Sequence, residues 1–403
     1  MSVTSSGSNN ADDAGGLLRR AMSAFDLLAG YHQTLGLAVS GGSDSLSLLV
    51  LGAEWAKARG RSVAAATVDH GLRPEALAEA EGVAAICEQL SVPHTILTWS
   101  HFGRSGGAPG QAEARRARHA LLAGWARARD VGLVALGHTR DDRIETFLMR
   151  VRQGSGWHGL AGPLPLAPSP VWPEGRGLQL ARPLLAFARE ELRGELRARS
   201  MTWVDDPSNE AERYERVRTR QLVARLEPEG RDRIIRIMGA AVEARVAALT
   251  VARAALELCR HDGNETMLPF AAITGLPDDA KLRLVEALVM AAGGAETPPR
   301  GEALERLAGR LVEDGGMAGG MTLGGAWIRR KGASVGFSPA PPRRGADEPA
   351  APAWDRAHAL LADPIALRST GRRQIVSSGD MCATLDNFHS SAVACQRICK
   401  SSA

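Results

Sequence analysis

The stretch Leu35-Gly36-Leu37-Ala38-Val39-Ser40-Gly41-Gly42-Ser43-Asp44-Ser45 runs straight into an apolar segment, Leu46 to Ala53. LGLAV is short and wholly apolar, the mark of a strand buried on both faces. Gly41 and Gly42 let the backbone turn tightly and approach a ligand closely. A helical stretch, Leu46 to Ala58, follows at once, so its first N–H groups lack intrahelical partners and suit an anion. The hydroxyls of Ser40, Ser43 and Ser45 add donors. Together they form a phosphate cradle built without a lysine. The pattern is not G-x-x-x-x-G-K-[ST], which disfavours an ordinary P-loop nucleotidase. A Gly/Ser turn capped by Asp44 is the plainer alternative, and strand, S-G-G-x-D-S and helix in succession outweigh it.

The same alternation continues downstream. VAAATV (63–68), HTILTW (94–99) and GLVALG (132–137) read as further buried strands, with helical patterns at 76–90, 111–129 and 141–152 between and after them. Strands alternating with helices at this spacing predict an α/β fold with a parallel, doubly wound, Rossmann-like sheet. Residues 153–180 are Gly/Pro-rich and read as a long loop, followed by a helix at 187–199. Apolar positions at helical spacing over 231–260, 278–292 and 300–313, with a hairpin at 321–337, predict a mostly helical second domain. The expected organisation is a disordered N-terminus (1–16), a nucleotide-binding catalytic domain (17–214), a mostly helical substrate- and tRNA-binding domain (215–338), and a linker with an atypical or degenerate tail (339–403).

Composition narrows the class. The 403 residues are 44% hydrophobic and 23% charged, with only 8 Trp, 7 Phe and 2 Tyr, so Leu, Ala and Val carry the packing. The longest apolar run falls well short of the ~20 residues of a membrane span. The N-terminus has no basic segment followed by an apolar run, so no signal peptide is expected and the expected address is the cytoplasm. Cys87, Cys259, Cys382, Cys395 and Cys399 form no C-x-x-C pair, which points away from a zinc ribbon or a cysteine-held iron–sulfur cluster. The net charge is +4, and Lys57, Lys281, Lys331 and Lys400 are the only lysines. An Arg bias of this kind fits a GC-rich genome as well as phosphate binding, so the clusters matter more than the total.

In an open parallel sheet the ligand crevice lies at the C-terminal strand ends. His70 follows the second strand and His138 the fourth, so both are expected at the edge that carries Ser40 to Ser45. A lone histidine is more often structural, whereas two beside a phosphate loop favour function. Asp141, Asp142 and Glu145 stand in the first turn of a helix, where acids commonly cap. Asp142 and Glu145 share a face and, with Asp44, form a candidate Mg²⁺ set for a triphosphate. Arg115 and Arg118 share one face of the 111–129 helix. A second basic cluster, 213–236, contains Arg216 and Arg220. Both clusters suit phosphate-backbone contacts of a nucleic acid. Trp157 and His158 suit either stacking on a splayed base or burial.

On these residues the chain resembles the tRNA(Ile)-lysidine synthases, within the N-type ATP pyrophosphatases of the PP-loop superfamily. The resemblance rests on S-G-G-x-D-S and four more segments in order. They are Val68-Asp69-His70-Gly71-Leu72-Arg73; Gln111-Ala112-x-Ala114-Arg115-x-x-Arg118; Gly137-His138-x-x-Asp141-Asp142-x-x-Glu145-Thr146 running to Gly156; and Trp203-Val204-Asp205-Asp206-Pro207-Ser208-Asn209. It implies ATP and Mg²⁺, a tRNA(Ile) with a CAU anticodon and free L-lysine, joined through an adenylated cytidine to give lysidine. It also implies roles for Asp44 in metal and phosphate binding, His138 at the adenylation centre, and Asp142 in metal or lysine-ammonium binding. Two positions depart from the family: Val217 stands where it usually has Asn, and His119 where it often has Tyr. The alternatives are another PP-loop tRNA-modifying enzyme such as a thiolase, and a non-catalytic RNA-binding protein holding ATP as a structural ligand. Oligomeric state is left open.

Overall fold

A computed structural model describes residues 8–71, 75–99, 110–204, 215–313, 317, 319–341 and 352–362 of the chain. The chain divides into two compact units that part between Val242 and Glu243.

The first unit is built on a six-stranded sheet in the order β3-β2-β1-β4-β6-β5. Its strands are β1 (Thr34–Ala38), β2 (Ser62–Asp69), β3 (His94–Thr98), β4 (Leu133–Leu136), β5 (Leu166–Pro168) and β6 (Gln179–Ala181). All pair in parallel except β5, which runs antiparallel to β6. The central strand is hydrogen-bonded on both sides, with Leu37 paired to Ala65 in β2 and to Ala135 in β4. Alternate side chains enter two cores, as the pleat requires. Leu35, Leu37, Ala65, Leu133 and Ala135 pack against α1 (Ser8–Ala29), α2 (Ser43–Arg59), α3 (Glu75–Gln89) and α7 (Arg189–Ala198). Ala64, Ala66, Val134, Leu136 and Leu180 pack against Leu122, Ala123, Trp125 and Ala126 of α4 (Gln111–Ala128). The doubly wound sheet expected from the strand and helix spacing is therefore present.

Three features go beyond the sequence reading. Helix α1 begins at Ser8, within the polar stretch taken for a disordered lead-in. Its Leu17, Ala21, Phe25 and Leu28 recur at helical spacing, and all are buried. The stretch 153–180 contains helix α6 (Trp157–Leu160) and strand β5, both too short to show a period. A third small core joins α5 (Arg140–Arg152), α6, α8 (Glu215–Arg225) and the first half of α9 (Pro228–Leu256), through Phe147, Leu160, Val223 and Met238.

The second unit holds a five-stranded antiparallel sheet, β7-β8-β11-β10-β9. Its strands are β7 (Arg260–Asp262), β8 (Glu265–Pro269), β9 (Met321–Leu323), β10 (Ala326–Lys331) and β11 (Ser334–Pro339). The expected hairpin corresponds to β10 and β11. Strands β7 and β8 form a second hairpin across Gly263-Asn264, where a helix continuing to Arg260 was expected; α9 ends at Leu256. The short α10 (Phe270–Thr274) follows β8, and one sheet face packs Leu268, Ile328 and Phe337 onto α11 (Asp278–Gly293) and α12 (Gly301–Val312). Helix α13 (Trp354–Leu360) lies in the stretch read as linker and tail, yet Ala357 and Leu361 are fully buried in this core. Among the described residues no helix is long and apolar enough to cross a membrane.

Candidate active site

The order in which strands are added reverses between β1 and β4, the switch point at which an open α/β sheet leaves a crevice. The Ser40–Ser45 loop follows β1, His70 follows β2, His138 follows β4 and Arg182 follows β6, so one sheet edge collects them all. The first turns of α2, α4 and α5 open onto the same edge.

The loop is held in shape by its own hydroxyls. Ser45 Oγ accepts from the Ser40 N–H at 3.1 Å and donates to the Gly42 carbonyl at 2.9 Å. Gly41 has φ +87°, a conformation that side chains rarely adopt, and its carbonyl accepts from the Val204 N–H at 3.1 Å. Gly42 is the N-cap of α2 and supplies no side-chain cap, so the first N–H groups stay open to an anion. Gly137 brings the β4–α5 turn against this loop, since a Cβ there would lie 3.0 Å from the Asp44 carbonyl oxygen. His138 and Asp142 are thereby fixed close to the loop.

Asp44, Asp142 and Glu145 come together as their spacing suggested, but they meet on a guanidinium. Arg189 places Nε 2.9 Å from Asp44 Oδ2, one Nη 3.0 Å from Asp142 Oδ1, and the other 3.3 Å from Glu145 Oε1. Its own N–H donates to Asp141 Oδ2 at 2.8 Å. Arg220, which the sequence reading placed on a tRNA path, lies 3.3 Å from the same Glu145 oxygen. Asp142 also caps its helix, its Oδ2 accepting from the Thr139 N–H at 2.8 Å and hydroxyl at 2.9 Å. Burial raises the Asp44 carboxyl above its ordinary value, with Arg189 opposing. Burial works the same way on Asp142, yet Arg189 and the Thr139 N–H together hold that carboxyl below its ordinary value. Burial disfavours the Arg189 charge, but the three acids around it more than compensate and keep it protonated.

Among the described residues no group of three or more His, Cys, Asp and Glu converges on a metal position. The all-oxygen donors of Asp44, Asp142 and Glu145 match what Mg²⁺ takes, and a cation already stands between them.

Beside the acids lies a pair of neutral imidazoles. His119 is 3% exposed, and neither ring nitrogen has a hydrogen-bond partner among the described residues. Burial, then Arg118 and Arg115, push it down to about 3. Burial, then Arg182, drive His138 far below its ordinary value, and its Nδ1 is likewise buried without a partner. His70 is lowered by burial and meets the edge of Trp99 with ring centroids 6.1 Å apart. Within the α4 cluster Arg116 is tied to Glu174 at 2.9 Å, while Arg115 and Arg118 sit at the histidine end. Trp157 packs into the α5–α8–α9 core, which is its burial reading.

Burial pushes the Cys87 thiol up to about 11 and the Cys259 thiol up to about 12, so neither offers a thiolate near neutral pH. Arg73, Asp205 to Asn209, the Arg216 side chain and Cys382, Cys395 and Cys399 lie outside the described residues.

Sequence reasoning missed Arg182 and Arg189, and treated His119 only as a departure from the family. Arg189 did carry a local signal. It is the first residue of α7, where a cation runs against the helix dipole.

The family model for the PP-loop domain matches residues 19–227. The tRNA(Ile)-lysidine synthase of Hyphomonas neptunium is 44% identical over 307 residues, covering 76% of this chain and 81% of that one. That of Ruegeria pomeroyi is 40% identical, covering 75% and 70%. That of a Bradyrhizobium species is 37% identical, covering 77% and 91%. With the S-G-G-x-D-S cradle at its sheet switch point and relatives of this length and likeness, the chain belongs to the tRNA(Ile)-lysidine synthase family and carries that family's PP-loop domain.

Proposed function

We propose that this chain joins free L-lysine to C2 of the wobble cytidine of a tRNA(Ile) with a CAU anticodon, forming lysidine and consuming ATP. In the first step the C2 oxygen attacks the α-phosphorus, the α–β bond breaks, and pyrophosphate leaves. In the second the lysine amine attacks C2, and AMP departs with the C2 oxygen. The observation that carries this reading is the meeting of the anion cradle, the carboxylate cluster and two neutral imidazoles at one sheet edge in a chain of this family.

The residues divide the work. The Ser40–Ser45 loop and the α2 N-terminus receive the β- and γ-phosphates as charge builds on the leaving group. Asp44, Asp142 and Glu145 would be the oxygen donors for Mg²⁺, which would supply further neutralisation of the phosphates when bound. His138, uncharged at neutral pH, sits at the adenylation centre as a hydrogen-bonding group and does not repel a cationic amine. Arg115 and Arg118, with Arg216 and Arg220, bear on the tRNA backbone. The reaction belongs to the cytoplasm, where tRNA, ATP and lysine meet.

The test uses α-labelled ATP, Mg²⁺ and a CAU-anticodon isoleucine tRNA transcript, with and without lysine. AMP that appears only with tRNA, together with lysine bound to the tRNA, is the expected result, and Asp44→Ala should abolish both. ADP as product, or AMP with no lysine in the tRNA, rejects the function.

A further inference from the structure

The carboxylate cluster is occupied by the chain itself. Asp44 Oδ2, Asp142 Oδ1 and Glu145 Oε1 are the oxygens that Arg189 engages. The remaining oxygens of the two aspartates are also in use, since Ser43 Oγ lies 3.2 Å from Asp44 Oδ1 and Thr139 holds Asp142 Oδ2. Arg189 is anchored from behind by its own N–H on Asp141. Its side chain is 20% exposed and Glu145 2%, so water competes weakly for these contacts. A divalent ion that uses the same three oxygens and the guanidinium cannot both be in place. A planar guanidinium can bridge three carboxylates at once, which a lysine ammonium, as a compact point charge, does less well.

We propose that Arg189 is a built-in counter-cation. It keeps Asp44, Asp142 and Glu145 aligned while closing them to free divalent metal, so that the cluster opens only when a metal arrives on the triphosphate at the neighbouring loop. Metal and guanidinium are alternative occupants of one acidic site. Arg189 is accordingly a positioning residue, acting on the reaction through the three carboxylates. The inference rests on the reading of those acids as metal donors given above, and it explains why a cation sits at the first residue of a helix.

The full chain is titrated with Mn²⁺ without nucleotide, tRNA or lysine, and bound ion is followed by electron paramagnetic resonance. The wild-type chain should show no saturable site at this cluster. Arg189→Gln should gain one, at least about tenfold tighter than any residual binding by wild type, because a positive charge is removed and the Asp44 and Asp142 oxygens are released, while Glu145 Oε1 keeps Arg220 3.3 Å away. Adding Asp44→Asn to that variant should abolish the gain. Arg189→Lys keeps the charge without the fork and should fall between, which keeps the test open if Arg189→Gln folds poorly. Equal Mn²⁺ binding by wild type and both variants overturns the proposal, as does a folded Arg189→Gln chain without a new site. Lysine transfer to tRNA is scored separately on the same wild-type preparation. Its failure removes the proposed function and leaves the metal result standing.

Discussion

Asp44 and Asp142 face one guanidinium yet shift in opposite directions, and the difference lies in their other partners. Asp44 has only the Ser43 hydroxyl besides Arg189, whereas Asp142 adds the Thr139 N–H and hydroxyl, which favour its anion. His119 presents the opposite problem, a buried base with no hydrogen-bond partner among the described residues. Its folded value of about 3 lies below the ordinary 6.5, so the unfolded chain binds the proton more readily. Stability from keeping it neutral is therefore complete above about pH 6.5 and drains away as pH falls towards 3. The slope is about 1.4 kcal/mol per pH unit. His119→Leu should flatten the loss of melting temperature between pH 7 and pH 5; an unchanged profile would show that His119 is not the group responsible. The sequence pointed to Asp44, His138, Asp142 and Glu145 because their motifs fix them next to a strand end. It was silent on Arg189, which lies 145 residues from Asp44 and reaches it only through the packing of α7 on α2.

At the scale of elements, α4 does two jobs along its length. Leu122, Ala123, Trp125 and Ala126 pack its middle onto the sheet, and Arg115, Arg118 and His119 end at the crevice edge. The basic end is thus rigidly supported, which suits a surface that holds a nucleic acid backbone. Replacing Arg115 and Arg118 together by Glu should weaken tRNA binding and lower the slope of log K against log salt by roughly two. A slope equal to that of wild type would place the tRNA path elsewhere. This helix was legible from its apolar spacing and arginine count. Strands β5, β7 and β9 were not. Each has three residues, and in β7 all three are exposed, so no alternation marks them. Gly263-Asn264 was a readable turn signal, outweighed by the long helical pattern before it.

Across the whole molecule, the two units rest on separate cores. The second core is completed by α13, with Ala357 and Leu361 buried and Trp354 stacked on His261 at 5.5 Å. Ending the chain after Pro341 should cost the second unit at least about 2 kcal/mol. That is measurable as a lower unfolding midpoint against a chain ended after Ala362, which keeps the helix. Equal midpoints would show that α13 contributes nothing to this core.

The parallel sheet, the Gly/Ser turn between its first strand and helix, and the family were readable from the residues alone. Buried strands, glycine turns and helix starts are local patterns whose physics operates within about ten residues. The closing of the acids on Arg189, the burial of His119 and His138 and the place of α13 in the second core required the folded chain. Electrostatic partnership and desolvation depend on which side chains packing brings together and how much water it removes, and neither is a property of sequence neighbours.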